Sequence, residues 1–405
     1  MNAPALYIAL PVLGEFASLA HLFTDLKNQS YKIFYVFVCI NQYESWWDKP
    51  DKKHYCEDNE KSLAYLRSIR KNNLFIIDRS SRGKGWPDKK GGVGWARKIL
   101  MDRIAAASDE GIIISMDADT RYPENYLQEI VTYFKNNPDK TGLSVPYYHR
   151  LDNKGTDRQI LRYEIYMRYY ALNMLRIENP YNFTALGSAI ALPLWAYRKI
   201  GGMTPVKSGE DFYLLQKLVK NGRIGQWADT TAFPSARLSD RVLFGTGPAL
   251  IKGMQGNWSS YPLYPAHFFD LVKQTYDLFP KLYEKEIETP MTPFLKKQLR
   301  TEDLWEPLRK NYTDRTNFMK ACISKVDGLR ILQFLRSMYT SSGSAEDEQI
   351  LKEYLLNNFN QQLDNKMRSI LDHLDFNQSP VQELDLIREF VYDQEMKLRK
   401  KMEIS

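Results

Sequence analysis

The stretch Gly111-Ile112-Ile113-Ile114-Ser115-Met116-Asp117-Ala118-Asp119 decides how the rest of the chain is read. Its β-branched run is too short for a helix and is bounded by a glycine and a polar triplet. It therefore reads as a buried strand, Gly111 to Met116, that delivers two aspartates at its carboxyl end. Working outward, strand-like and helix-like segments alternate. On the amino-terminal side come a strand Tyr7 to Val12, a helix Phe16 to Asn28, a strand Lys32 to Ile40, a helix Glu60 to Lys71, a strand Leu74 to Ile77 and a helix Gly94 to Ala107. On the other side come a helix Pro123 to Asn136, a strand Leu143 to Pro146, a Tyr- and Met-rich helix Gln159 to Ile177, an apolar segment Phe183 to Leu192 and a helix Glu210 to Asn221. This alternation predicts an α/β fold with a mostly parallel sheet flanked by helices. Gly245 to Pro265, rich in Gly, Pro, Ser and Tyr, reads as a loop or boundary. Beyond Phe268 the pattern is one of charged amphipathic helices, such as Leu351 to Asn358 and Val381 to Lys401, with Ser341 to Ala345 as a short linker. The expected division is a catalytic domain over 1–245 and a helical C-terminal region over 246–405.

Composition narrows the class. Hydrophobic residues make up 43% and charged residues 26% of the 405, an ordinary globular balance. The net charge of +7 suits phosphorylated ligands or an anionic surface, but the basic residues are scattered, which argues against nucleic acid. Cys39, Cys56 and Cys322 are odd in number and lack metal-ligand spacing, so neither a disulfide framework nor a zinc cluster is expected. The opening run Leu6 to Leu10 lacks the build of a signal peptide, and no segment reaches the roughly 18 apolar residues of a membrane span. The expectation is a cytoplasmic protein, at most peripheral at the inner face of the membrane.

Three clusters carry chemistry. Asp117 and Asp119 follow a buried strand, where α/β sheets gather ligands. Two hard oxygen donors there suit Mg2+ or Mn2+ shared with a diphosphate, the plain alternative being that they cap the turn. Gly209-Glu210-Asp211 opens an amphipathic helix, so its carboxylates either cap that helix or offer a base to a hydroxyl group. Gly83-Lys84-Gly85 and Lys89-Lys90-Gly91-Gly92-Val93-Gly94, followed by Arg97, are either an anion-binding segment or a basic surface loop; the Walker pattern is absent. Downstream, Arg237 and Arg241, with Ser239 between them, either hold a diphosphate or sit on the surface. The aromatic residues of Tyr163 to Met174 line a groove or belong to the core, and Trp46 and Trp47 stack on a ligand or are buried.

Taken in order, these segments resemble the GT-A (Rossmann-like) nucleotide-sugar glycosyltransferases, in particular the large inverting family 2. Ala9-Leu10-Pro11 is similar to that family's opening strand, Lys90 to Arg97 to its Gly and Ala-Arg segment, and Asp117 to Asp119 to its DxD motif. Gly187-Ser188 and Gly201-Gly202 resemble the acceptor-side segment, and Glu210-Asp211 its Glu-Asp motif. The resemblance spans roughly Tyr7 to Gly245 and rests on the order of short motifs. It implies Asp119 as the main ligand of a divalent metal, Asp117 at the ribose or sharing that metal, and Asp211, with Glu210 beside it, as the catalytic base. It also implies Pro11, Asn41, Asp78, Lys90, Gly91 and Arg97 around a UDP- or GDP-sugar, with a saccharide or lipid-linked acceptor beyond Gly187 and Ser188. The chain departs from the family in having Asn41 where an Asp is usual, and in having no His between His149 and His267 to serve as a third ligand. The implied activity is hexosyl or N-acetylhexosaminyl transfer in polysaccharide or glycoconjugate synthesis. The rivals are a retaining transferase, a glycoside hydrolase with paired carboxylates, and a non-catalytic carbohydrate-binding or scaffold protein.

Overall fold

The structure, a computed structural model, describes residues 4–152, 155–236, 246–343 and 346–404. Its strands are β1 (Leu6–Val12), β2 (Phe34–Asn41), β3 (Leu74–Arg79), β4 (Ile112–Ser115), β5 (Gly142–Ser144), β6 (Ile190–Pro193) and β7 (Ile224–Gly225). Among the described residues they form one seven-stranded sheet in the order β3-β2-β1-β4-β6-β5-β7. All run parallel except β6, which is antiparallel to both of its neighbours. The mostly parallel sheet expected from the sequence is thus present. Every residue of β1 and β4 is buried, as strands covered on both faces require.

The chain leaves β1 for β2 and then β3 on one side, and returns to place β4 on the other side of β1. Strand order reverses between β1 and β4, and in open α/β sheets ligands bind beyond the carboxyl ends of the strands at such a point. Leu6, Ile8, Leu10 and Val12 of β1 share one core with Val36, Val38 and Ile40 of β2. Helix α1 (Phe16–Asn28) lays Leu19, Leu22 and Leu26 on it at helical spacing. Helix α2 (Lys53–Ser68) contributes Leu63 and Leu66, α3 (Val93–Ala107) lies against β1 and β2, and α4 (Tyr126–Asn136) adds Leu127 and Ile130. Three further helices follow: α5 (Asp157–Arg176), α6 (Leu194–Lys199) and α7 (Glu210–Asn221).

The chain forms two compact units. The first comprises Met1–Ile160, Phe183–Asn257 and Arg399–Ser405, and holds the sheet. In this unit Glu403 accepts hydrogen bonds from Tyr133 Oη (3.1 Å), Lys140 Nζ (3.1 Å) and the Gln226 amide (2.7 Å), so the final helical turn is fastened beside β5 and β7. The second comprises Leu161–Asn182 and Trp258–Leu398 and is helical. It includes helices Ala266–Leu282, Gly328–Ser342 and Asp347–Phe359 around a core of Phe268, Phe279, Trp305 and Phe318. Its buried Arg168 is paired with Glu164 and with Glu395 (2.7 Å), which satisfies a charge that burial alone would penalise. The segment from Gly245 to Pro265, read as a loop or boundary, contains a helix, Thr246–Met254, and the division between the two units falls within it, after Asn257. Pro248 stands in its first turn, where a missing N–H costs nothing, and Ala249, Leu250 and Ile251 continue it. No helix among the described residues is long and apolar enough to cross a membrane.

One charged residue sits inside the apolar stripe of α1. Asp25, 7% exposed, accepts two hydrogen bonds from Arg121 (2.7 and 2.6 Å) and one from the Tyr122 amide (3.1 Å). Gln29 reinforces it, donating to the Pro123 carbonyl (2.8 Å) and accepting from the Leu127 amide (2.9 Å). The end of α1 thereby clamps the turn that follows Asp117-Ala118-Asp119. Asp25→Ala leaves the Tyr122 N–H buried without its acceptor, and the expected loss is about 1–3 kcal/mol in urea unfolding. A midpoint equal to that of the parent would show that the clamp contributes nothing.

Candidate active site

Segments far apart in sequence converge on one guanidinium. Arg97, one turn into α3, is 3% exposed. Its Nε donates to Glu210 Oε1 at 3.0 Å, and one terminal nitrogen donates to Asp117 Oδ1 at 2.6 Å. The other donates to the Gly187 carbonyl at 2.9 Å and also to Ser115 Oγ at the end of β4. The fork geometry of arginine allows such divergent contacts from one side chain. Gly187 is glycine for a steric reason, since a Cβ there would strike the guanidinium. A second bridge comes from Tyr122, whose hydroxyl accepts from the Asp117 amide (3.1 Å) and donates to the Ser188 carbonyl (3.0 Å).

Asp117 lies just past the end of β4. Its side chain is 30% exposed yet crowded by protein, as a group at the floor of a recess would be. Burial raises its pKa above the usual carboxylate range. Arg97 pulls against that, while the charges of Glu15 and Asp211 add to it. Glu210, 4% exposed, is pushed up to about 7 by burial first and by Asp211 second, with Arg97 opposing. Burial disfavours the Arg97 cation, but Asp117, Glu210 and Asp211 together hold its pKa above the ordinary arginine value. Asp211 is half-buried beside them, and its Oδ1 accepts from the Phe212 amide at 2.8 Å. Both acids occupy the first turn of α7, where exposed amides favour negative charge. Asp119, two residues beyond Asp117, is half-buried.

Other residues singled out from the sequence lie at neighbouring strand ends. Pro11 is buried in β1, paired across to Cys39 of β2. Asn41 ends β2, donating to the Val12 carbonyl (2.9 Å) and accepting from Trp86 Nε1 (3.3 Å). Asp78, near the end of β3, accepts from the Ser80 and Ser81 amides (3.1 and 3.0 Å), the Ser81 hydroxyl and Lys84. Burial would raise its pKa, yet these bonds outweigh it and hold the carboxyl well below the usual range. Lys90 is exposed above the Trp95 ring, and Gly91 lies tightly against Tyr43 and Trp86. Trp46 is buried, and Trp47 donates to the Ser80 carbonyl at 3.1 Å. Arg237, Ser239 and Arg241 lie outside the described residues.

The structure thus brings Arg97, Asp117, Glu210, Asp211, Gly187 and Ser188 into one cluster, while Asn41 and Asp78 serve the rims of adjacent strands. Tyr122, Ser115 and Glu15 join the cluster without having been singled out. Tyr122 stood five residues after Asp117 with no motif to mark it. Among the described residues no group of three or more His, Cys, Asp or Glu could hold a metal ion through side chains alone. The cluster nonetheless sets three carboxylates, Asp117, Glu210 and Asp211, against one buried cation. Glu210 is taken up by Arg97, so a divalent ion at this end of β4 would draw on Asp117 and Asp119 and fill its remaining positions with water and phosphate.

The electrostatics make a testable statement about pH. The native state raises the pKa of Glu210 from 4.5 to about 7, so it keeps a proton that the unfolded chain releases within that window. Its contribution to stability is complete below about 4.5 and is lost as pH rises through about 7. In Glu210→Gln, stability relative to the parent therefore rises across this window by about 2–3 kcal/mol, at up to roughly 1.4 kcal/mol per pH unit. Parallel pH profiles of chemical denaturation for the two proteins would contradict the assignment.

No protein-family model matches the chain, and no curated protein does. Among solved structures it is similar to S. aureus TarS 1-349 in complex with UDP-GlcNAc, at 13% identity and TM-score 0.43, covering 96% of this chain and 90% of that one. It is also similar to the mannosyltransferase PcManGT from Pyrobaculum calidifontis in complex with GDP-Man and Mn2+, at 10% identity and TM-score 0.40, covering 96% and 88%. Likenesses at this level assign no ligand to this chain.

Proposed function

We propose that the protein is a GT-A glycosyltransferase of the family 2 type that moves a hexosyl or N-acetylhexosaminyl group from a UDP- or GDP-sugar to an acceptor hydroxyl. In this reading residues 1–245 house the reaction and 246–405 form a helical region, on the cytoplasmic side of the cell. The observation that carries it is the joining of Asp117, beyond β4, to Glu210 and Asp211, at the start of α7, through the buried Arg97. The junction lies beyond the carboxyl ends of β1 and β4, where strand order reverses.

In the proposed reaction Asp211 is the base. It takes the proton of the acceptor hydroxyl as that oxygen attacks the anomeric carbon, while the carbon–oxygen bond to the diphosphate breaks on the opposite face and the configuration inverts. Glu210 points inward to Arg97 and holds the first turn of α7 in register, so it positions its neighbour. Asp119 is the principal metal ligand, with Asp117 sharing the ion or meeting the ribose. Bound there, Mg2+ or Mn2+ supplies neutralisation of the charge that develops on the departing diphosphate. Ser188 and Gly187 border the acceptor side.

Two experiments test this. A thermal-shift screen of UDP-, GDP- and dTDP-sugars with and without Mn2+ is expected to find one donor that stabilises the protein. At a hundredfold excess over its Kd the gain is about 2.7 kcal/mol, and Asp119→Asn removes its dependence on Mn2+. No stabilisation by any of these donors would end the reading. With a responsive donor in hand, Asp211→Asn is expected to bind it as the parent does and to transfer about 100- to 10,000-fold more slowly. Undiminished transfer would take the base assignment away from Asp211.

A further inference from the structure

The end of the chain returns to the first unit and grips it through side chains. Helix Val381–Ile404 is the last described element, and its residues from Arg399 onward belong to the unit that holds the sheet. Arg399 and Glu403, four residues apart, share one face of it. Glu403 accepts from the Gln226 amide (2.7 Å), just past β7, and the Lys400 ammonium stands 4.7 Å from the centre of the Trp227 ring. Arg399 is 3% exposed. One of its terminal nitrogens donates to Gln226 Oε1, and the other donates to Thr184 Oγ1 at 3.2 Å. A guanidinium buried this deeply is costly unless its donors are met, so the side chain has little freedom to turn elsewhere.

Thr184 opens the stretch that leads to the candidate site. Residues 184–188 belong to neither a helix nor a strand, so no ladder of main-chain bonds sets their course. Side chains fix the two ends instead. At the near end the Thr184 hydroxyl meets Arg399, and the Thr184 carbonyl accepts from Ser144 Oγ, at the end of β5, at 2.7 Å. At the far end the Gly187 carbonyl accepts from Arg97 (2.9 Å) and the Ser188 carbonyl from Tyr122 (3.0 Å). Ala185 and Leu186, both half-buried, span the gap between these anchors. A stretch this short takes its course from both of its ends, so releasing one lets the other shift.

We propose that Arg399 is a positioning residue of the candidate site: by holding Thr184 it sets where the Gly187 and Ser188 carbonyls stand against Arg97 and Tyr122. It touches none of the groups given a part in the transfer and acts only through the 184–188 stretch. Fastening the chain end is a separate task, and Glu403 performs it through Tyr133, Lys140 and the Gln226 amide, beside β5 and β7. Arg399 shares Gln226 with that anchor, but its second bond reaches the stretch that meets Arg97. The consequence for acceptor binding rests on the transfer reading, in which Gly187 and Ser188 border the acceptor; the fixing of the stretch does not.

The test is hydrogen–deuterium exchange on the full chain, comparing the parent with Arg399→Met, Thr184→Val and Thr184→Ser. Thr184→Val removes the acceptor at nearly constant shape, so it decides the matter even where Arg399→Met folds poorly. Exchange of a peptide covering residues 183–190 is expected to rise about tenfold in Arg399→Met and Thr184→Val, by the worth of a hydrogen bond to a charged group. Thr184→Ser, which keeps the hydroxyl, should exchange as the parent does, and a peptide covering β1 should not change in Thr184→Val. Exchange at the parent's rate over 183–190 in Thr184→Val, or a rise shared equally by β1, would overturn the proposal. With a donor from the screen above and an acceptor found for it, Thr184→Val is expected to raise the acceptor KM about three- to tenfold, with kcat within about twofold and donor stabilisation unchanged. An unaltered acceptor KM would overturn the link to the acceptor. Faster exchange over 183–190 in a chain that no nucleotide sugar stabilises would uphold the positioning role and sink the transfer reading alone.

Discussion

A cation buried in a protein cannot be left unmatched, and that condition organises the first unit around Arg97. Removing one partner from a buried ion pair costs about 3–5 kcal/mol, because the remaining charge stays in a poor solvent. Arg97 is met by Asp117 from the end of β4, Glu210 from the start of α7, the Gly187 carbonyl from the segment before β6, and Ser115. The end of β4, the start of α7 and the segment before β6 are fixed relative to one another by a single side chain. Gly187 must lack a Cβ for the same reason, and Gly94 for a related one, since a Cβ there would enter the Val206 carbonyl and crowd Glu210. The α3 backbone can then come close enough to α7 for Arg97 to reach its acid.

Arg97 is bonded to Asp117 and Glu210 and feels the charge of Asp211 nearby, and this crowding of acids has structural consequences. Consecutive helix residues point about 100° apart, so Glu210 and Asp211 cannot both face Arg97. Glu210 turns inward and is nearly lost from solvent, whereas Asp211 stays half-buried, its carboxylate anchored by the Phe212 amide. Adjacent acids thus have different solvation, and burial holds the proton of the inner one, Glu210, to a higher pH than is usual for a glutamate. Such a divergence of environments lets one short segment hold two carboxylates of different character.

Much of this was legible from local pattern. Helices α1 and α7 occupy the residues their periodicity predicts, and the apolar run before Asp117 forms the expected strand, trimmed to Ile112–Ser115. The convergence on Arg97 was not, because its partner Glu210 lies 113 residues away and nothing local distinguishes a paired arginine from a surface one. Helix α2 begins at Lys53, earlier than the expected Glu60, because its buried stripe runs through Asn59 and Ser62. Polar residues on an inward face hide a helix from any reading of hydrophobic spacing. The glycines at 91 and 94 were legible as sites of close approach, but the partners they approach in this structure are Tyr43, Trp86, Val206 and Glu210.

Those inward polar residues bear on how firmly the strand ends are held. Asn59 accepts from the Gly14 amide (2.9 Å) and donates to the Asn41 carbonyl (3.2 Å) and to Gln42 Oε1 (2.8 Å). Asn41 in turn donates to Val12, and Asp78 gathers the amides that follow β3. The carboxyl ends of β1, β2 and β3 are therefore each tied down by a side-chain amide or carboxylate. Beside them, Asp117 at the end of β4 is tied to Arg97. Main-chain groups at strand ends lack the ladder partners that hold the strand interior and would otherwise fray. A rim built this way needs little reorganisation when charge develops against it, which is the condition under which fixed dipoles and carboxylates act most strongly on a reacting group.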